Sequence, residues 1–198
     1  MPPTIVYLHG LNSSPQSVKA RALAAAIAAL APAGRPMFSV PSLHPRPAQA
    51  MRDVVAWIDA NASLPLTLVG SSLGGFYATH LAERFGARAV LINPAVRPYN
   101  DLERYLGPQR NLYTGEAWEL TRRHFDELRA LRVDTISRPD RYWLLVQTGD
   151  EVLDWREALA RYAGAWQFIQ GGGDHGFQDF TAQIPPLLRF AGVAGSSQ

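Results

Sequence analysis

Gly70-Ser71-Ser72-Leu73-Gly74 is the segment whose residue types and spacing point most directly to chemistry. It matches G-x-S-x-G about Ser72, whereas Ser71 has no glycine pair at two before and two after. This pattern belongs on a sharp strand-to-helix turn, which lifts the serine hydroxyl off a sheet and leaves space only for glycine at the flanking positions. The helix that follows favours negative charge developing at its N-terminus. The spacing therefore presents Ser72 as a nucleophile. A phosphate loop competes for glycine-rich turns, but the Walker pattern needs Gly-Lys-Ser/Thr and no lysine is present here.

A serine hydroxyl needs a base, and the base needs an orienting carboxylate. In a parallel α/β sheet these follow the serine in the order acid, then histidine, each on a loop after a strand. Asp150 in Gly149-Asp150-Glu151-Val152 and His175 in Gly173-Asp174-His175-Gly176 meet that order and placement. Among the other histidines, His44 lies between prolines, and His80 falls inside the helix after Ser72. His124 sits beside Arg122 and Arg123 on an expected solvated helix face, and His9 comes too early in the chain. Asp154 is the alternative acid, although its position suits the N-cap of a helix beginning at Trp155. Asp174 suits the stabilisation of a turn. Oxyanion donors are expected from the backbone N–H of Leu73 and from the loop His9-Gly10-Leu11-Asn12-Ser13-Ser14, where Leu11 N–H is the candidate and the Asn12 side chain the alternative.

The elements that must hold these residues can be read from hydrophobic periodicity. Ile5-Val6-Tyr7-Leu8, Met37-Phe38-Ser39-Val40, Leu66-Thr67-Leu68-Val69, Ala89-Val90-Leu91-Ile92, 142–146 and Trp166-Gln167-Phe168-Ile169 read as six strands. Helical spacing at 15–30, around Met51, Val54, Val55 and Ile58, and at 74–85, 155–162 and 177–190 fills the intervals. Ser14 is the expected N-cap of the first helix, and Pro185-Pro186 should interrupt or kink the last. Strands apolar throughout, alternating with helices, imply a parallel sheet covered on both faces. The stretch from Pro94 to Pro139, about 45 residues without a convincing strand, reads as an insertion in which 116–131 forms an amphipathic helix.

Composition excludes other chemistries. The chain has 198 residues, enough for one domain with a real core, and no cysteine. Disulfides, zinc–thiolate sites, iron–sulfur clusters and a cysteine nucleophile are thereby ruled out. Of 19 Lys+Arg only Lys19 is lysine, and it falls on the first helix rather than at a strand end, which removes the candidate for a serine–lysine mechanism. A net charge of +2 with no long basic run argues against nucleic acid as a partner. The N-terminus lacks the basic start and apolar stretch of a signal peptide, and no apolar run is long enough to span a membrane. A cytoplasmic protein is the expectation, with a frayed tail at 195–198.

Several longer stretches resemble those of the α/β-hydrolase superfamily, and more narrowly the small bacterial YqiA-like esterases. They are Tyr7-Leu8-His9-Gly10-Leu11-Asn12-Ser13-Ser14-Pro15, Leu68-Val69-Gly70-Ser71-Ser72-Leu73-Gly74-Gly75, Asn93-Pro94-Ala95-Val96-Arg97-Pro98, Tyr113-Thr114-Gly115, Gln147-Thr148-Gly149-Asp150-Glu151-Val152-Leu153-Asp154, and Gly171-Gly172 to His175. Together they cover about residues 4–192. The resemblance implies a serine esterase with Ser72 as nucleophile, Asp150 as acid and His175 as base, on a reduced sheet. One departure is Gly173-Asp174-His175-Gly176, where the family pattern has Asn and Ala around the histidine.

The expectation is a three-layer α/β-hydrolase fold: one domain over 1–198, a mostly parallel sheet of about six strands, and a helical, lid-like insertion at 95–141. The expected reaction is acyl transfer from a small ester or thioester to water, with neither metal nor cofactor. Gly10, Asn12, Leu102, Tyr105 and Trp118 are candidate substrate contacts, with Leu106 and Phe125 as further acyl contacts. The same triad could instead act on acyl-CoA, peptide or carbon–carbon bonds, or the fold could be a non-catalytic binding scaffold.

Overall fold

Four strands carry apolar side chains on both faces, and the computed structural model, which describes residues 2–193, explains why. β1 (Thr4–Leu8), β2 (Met37–Ser39), β3 (Leu66–Ser71), β4 (Arg88–Ile92), β7 (Tyr142–Gln147) and β8 (Trp166–Gln170) form one parallel sheet in the order β2-β1-β3-β4-β7-β8. Along each inner strand, alternate residues enter different cores. Val6 and Leu8, Leu66 and Leu68, Ala89 and Leu91, and Leu144 and Val146 face one core. Ile5 and Tyr7, Val69, Val90 and Ile92, and Leu145 face the other. The period of two is intact, but both phases are apolar because helices cover both faces. The outer strand β8 is the partial exception, with Trp166 and Ile169 exposed.

The first core is closed by α2 (Pro47–Asn61), α3 (Leu73–Phe85), α5 (Arg122–Ala130) and α6 (Trp155–Arg161). The second is closed by α1 (Val18–Ala28) and α7 (Phe180–Phe190). α1 and α3 thus leave β1 and β3, which are neighbours, toward opposite faces. That divergence opens a crevice beyond the carboxyl ends of these two strands, where open α/β sheets place their sites.

Three local expectations need correction. α1 begins at Val18 with Ser17 at its N-cap, because Ser14 Oγ instead accepts from Gln16 N–H and closes a short turn. α7 begins at Phe180 and runs unbroken through Pro185 and Pro186, with Ile184, Leu187 and Leu188 buried on its inner side. The insertion is not helical throughout. Besides the short α4 (Pro98–Asp101) and α5, it holds an antiparallel hairpin of β5 (Gly107–Arg110) and β6 (Ala117–Leu120). β6 and a connecting turn occupy the stretch read as the start of a helix from 116, and α5 begins only at Arg122. The tail at 195–198 lies outside the described residues. Among the described residues, no helix is long and apolar enough to cross a membrane.

Candidate active site

Sheet register aligns the candidate residues before any side chain is considered. Leu8 pairs with Gly70 and Ser71 with Ile92, while Ile92 pairs with Leu145 and Gln147 with Gln170. The loops that follow these residues therefore emerge side by side at one end of the sheet. Ser72 stands at the turn from β3 into α3 with φ 55° and ψ −123°, a conformation a non-glycine residue adopts only under constraint. The constraint is visible in its neighbours. A Cβ on Gly70 would lie 2.2 Å from the carbonyl oxygen of Gly74, and a Cβ on Gly74 2.0 Å from that of Leu8. Ser72 N–H donates to the Ile92 carbonyl at 3.0 Å, and the Ser72 carbonyl accepts from Gly75 and Ala95 at 2.9 and 3.0 Å.

His175 Nε2 lies 3.0 Å from Ser72 Oγ, and its Nδ1 lies 2.9 Å from each carboxylate oxygen of Asp150. A carboxylate can only accept, so Nδ1 carries the proton and Nε2 is left to accept from the serine hydroxyl. The Asp150 side chain is 2% exposed and that of His175 is 23% exposed. Burial pushes the Asp150 carboxyl up. The hydrogen bond from His175, the N–H groups of Leu153 and Val152, and the proximity of the imidazole outweigh it and hold the carboxyl below the ordinary range. The carboxylate thus keeps its charge while enclosed, which is the condition for orienting an imidazole. Asp154 lies apart from this cluster; its Oδ1 accepts from Arg156 N–H and caps α6. Asp174 bonds Gln178 Nε2 through its own carboxylate.

The loop that carries His175 is held by residues to which the sequence reading gave no part in the site. Asn93, with φ 40°, donates through Nδ2 to the carbonyls of Asp174 and His175 at 3.0 and 3.2 Å, while its Oδ1 accepts from Gln147 N–H. Gln147, fully buried at the end of β7, accepts at Oε1 from the N–H groups of Asp174 and Gln178. Its Nε2 donates to Gln170 Oε1 and to the Gln178 carbonyl. Glu151 accepts from His175 N–H at 2.9 Å. Lys19 donates from Nζ to the Gly176 carbonyl at 2.7 Å, so the single lysine braces this loop and does not reach the serine. A glutamine at the end of a strand carries no signal of this role in the sequence; its burial emerges only in the fold.

Ser72, Leu11 and Leu73 line one small cavity of about 40 Å³ together with Leu102, Tyr105, Val152 and Leu153 among others. Leu73 begins α3, so its N–H is among those the helix leaves unused. Gly10 sits against Ser72, where a Cβ would come within 3.3 Å of the serine Cβ. Asn12 and Trp118 do not line this cavity; with Gly10 they line an adjoining one, and Trp118 Nε1 donates to Asn12 Oδ1. A larger cavity of about 560 Å³, lined by Tyr7, Ser17, Lys19 and Asp174 among others, lies on the α1 side and includes neither Ser72 nor His175.

Two assignments change. Phe125 is 2% exposed and packs in the core under α5, out of reach of any substrate. His124 is buried rather than solvated; its ring closes a capping box with Thr121 at the start of α5. His9 is also buried, its Nδ1 donating to the Gly10 carbonyl while its Nε2 accepts from Leu43 N–H at 3.4 Å. Burial lowers its basicity, with the Gly10 bond opposing in part. Among the described residues no group of three or more His, Asp or Glu side chains is arranged to hold a metal ion.

Comparison with known proteins agrees with this architecture. A putative hydrolase from Agrobacterium vitis S4 superposes with a TM-score of 0.76 at 20% identity, over 98% of this chain and 88% of the other. The mouse alpha/beta hydrolase domain-containing protein 10 gives 0.67 at 19% identity, over 96% and 88%. The esterase domain of a Rhodothermus marinus protein gives 0.69 at 17% identity, over 96% and 88%. The fold is that of the α/β-hydrolase superfamily. Residues 4–192 match the model of an uncharacterised protein family, UPF0227, and with nearly its whole length inside that match the chain belongs to this family.

Proposed function

We propose that the chain is a serine hydrolase that cleaves small carboxylic esters, or acyl thioesters, through Ser72, His175 and Asp150. The observation that carries this reading is the continuous relay from the Asp150 carboxylate through both ring nitrogens of His175 to Ser72 Oγ, each link 2.9–3.0 Å long. His175 Nε2 takes the hydroxyl proton as Ser72 Oγ bonds to the acyl carbon. Asp150 stabilises the imidazolium that results. Charge moves onto the former carbonyl oxygen, which the N–H groups of Leu11 and Leu73 receive beside Ser72. The imidazolium then protonates the departing alcohol or thiol, leaving an acyl-serine. His175 next deprotonates a water molecule that attacks the same carbon, and Ser72 leaves with its proton restored.

The small volume beside Ser72, closed by Leu102, Tyr105 and Leu153, favours a short acyl chain. The similar esterase domain from Rhodothermus marinus supports an ester as the bond attacked. The test is steady-state turnover of p-nitrophenyl esters of increasing acyl length. The protein is expected to hydrolyse acetate and butyrate and to lose rate steeply toward octanoate, and Ser72→Ala should abolish turnover of all of them. No turnover of any ester would refute the enzymatic reading, and a preference for long chains would refute the small acyl pocket.

A further inference from the structure

The insertion was expected to behave as a lid, with Asn12 and Trp118 touching substrate. Its hairpin instead grips the loop that carries Leu11. Trp118 Nε1 donates to Asn12 Oδ1 at 2.8 Å, and Asn12 Nδ2 donates to Gln109 Oε1 at 2.9 Å. The Asn12 carbonyl accepts from Leu112 N–H at 2.8 Å, and the next carbonyl, that of Ser13, accepts from Asn111 Nδ2 at 2.8 Å. Four hydrogen bonds from one hairpin therefore converge on two consecutive residues. The first of them, Asn12, is held at φ 54°, a left-handed conformation that asparagine tolerates but does not prefer when free.

The hairpin is itself anchored away from the site. Asn111 Oδ1 accepts from Tyr113 and Thr114 N–H and shapes its turn. Leu120 is buried, and the Trp118 ring packs at 5.4 Å on His124, which caps α5. α5 in turn sinks Phe125 and Leu128 into the core. A two-stranded hairpin has little stability alone, so its docked position is set by these contacts. Rigid connection thus runs from the core through α5 and Trp118 to the Asn12 side chain, and from the hairpin turn to the peptide units that follow Asn12 and Ser13.

We propose that the β5–β6 hairpin is a fixed strut that sets the oxyanion loop, with Trp118 and Asn111 as positioning residues for the Leu11 N–H rather than as contacts to the acyl group. The inference rests on the proposed esterase reading, since an oxyanion must form for its donor to matter. An oxyanion donor works only when it is aimed in advance at the place where charge appears. Releasing Asn12 from its partners lets the loop relax from its left-handed turn and carries Leu11 N–H out of line. That loss falls on the transition state and leaves ground-state binding in the Leu102–Tyr105 cavity unaltered.

The test uses Trp118→Phe, which keeps a smaller aromatic ring against His124 and removes the indole donor. It also uses Asn111→Asp, which keeps the turn acceptor and removes the donor to Ser13. Each should lower kcat for p-nitrophenyl acetate about 10- to 100-fold with KM within about twofold of the parent. Each should weaken by a similar factor the binding of a short-chain trifluoromethyl ketone, whose serine adduct places an oxyanion in the same position. Both variants should melt close to the parent protein, because the central sheet does not pass through the hairpin.

A raised KM and a shifted chain-length preference at unchanged kcat would make Trp118 an acyl contact and overturn the proposal. Parent values of kcat and of inhibitor affinity in both variants would overturn it as well, as would global unfolding of both. If the parent protein hydrolyses ester and Ser72→Ala does not, while the two hairpin variants behave as the parent, the strut fails and the esterase reading stands. If the parent protein itself turns over no ester, both fall together.

Discussion

Replacing Asp150 by Asn changes one atom, yet the surroundings of that atom predict a large effect. Asp150 Oδ1 accepts from the N–H groups of both Val152 and Leu153 at 2.9 Å. An asparagine must keep its carbonyl oxygen there, because the flipped amide would set N–H against two N–H groups, at about 1–3 kcal/mol for each donor left unsatisfied. Its NH2 then takes the Oδ2 position, 2.9 Å from His175 Nδ1. Oδ1, also 2.9 Å from Nδ1 but already accepting from two N–H groups, is then the one acceptor left for the ring, and the opposing NH2 favours the tautomer with its proton on Nε2, which points at Ser72 Oγ and leaves no acceptor for the hydroxyl proton. Relieving the clash between NH2 and Nδ1–H by an amide flip costs about 2–6 kcal/mol, so the competent tautomer is disfavoured whichever way the amide lies, and the imidazolium loses its counter-charge as well. At about 1.4 kcal/mol per decade the expected fall in kcat is on the order of 10⁴-fold.

The assay is kcat for p-nitrophenyl acetate at neutral pH, with ¹⁵N shifts of the imidazole reporting which nitrogen bears the proton. Asp154→Asn is the companion measurement. Asn caps a helix as well as Asp does, so this variant should keep both rate and melting temperature. An Asp150→Asn protein within tenfold of the parent, or one still protonated at Nδ1, would refute the reasoning; an equal loss in Asp154→Asn would show the wrong acid had been chosen.

Other consequences follow from the same geometry. Gly74→Ala places a Cβ 2.0 Å from the Leu8 carbonyl oxygen, so the start of α3 must retreat by about 1.4 Å. About 1–3 kcal/mol of stability should be lost, visible as a melting point lower by several degrees, together with at least 100-fold in kcat, whereas Gly34→Ala, with nothing within 4 Å, should match the parent in both. Gln147→Ala leaves the N–H groups of Asp174 and Gln178 without their acceptor, so the His175 loop should loosen, with a tenfold or greater loss of kcat and faster amide exchange confined to about residues 171–179. Asp150 has a folded pKa below the ordinary carboxylate value, so its stabilising contribution is complete above that value and is lost as pH falls through the lower, folded one. Chemical denaturation of the parent and Asp150→Asn from about pH 7 to about pH 3 should therefore show a stability difference that shrinks only at the acid end; a constant difference would contradict the depressed pKa.

The parts of this molecule legible from sequence are those determined locally. β1, β3, β4 and β7 declare themselves because burial on both faces demands unbroken apolar runs. Ser72 does so because a sharp turn demands glycine at fixed distances, and the structure shows both glycines meeting backbone atoms. Asp150 and His175 follow from order along the chain and from the strands before them.

What escaped depends on contacts distant in sequence. Gly107-Pro108-Gln109-Arg110 lacks the apolar alternation of a strand and Ala117-Trp118-Glu119-Leu120 is too short to declare one, and their docked position is held by residues about 100 positions earlier. His124 looked solvated beside two arginines, yet its ring turns inward to cap α5. Gln147 and Asn93 read as ordinary strand-end residues, and only the folded loop shows that they hold His175 from behind.

The central claim is that Ser72 is a nucleophile activated by His175, and covalent labelling tests it most directly. The protein is treated with a fluorophosphonate probe and the adduct is mapped by mass spectrometry of its peptides. A single phosphonylated residue at Ser72, absent from Ser72→Ala and strongly slowed in His175→Ala, is the predicted result. No adduct, or an adduct on Ser71 or another hydroxyl that persists in Ser72→Ala, would contradict the account.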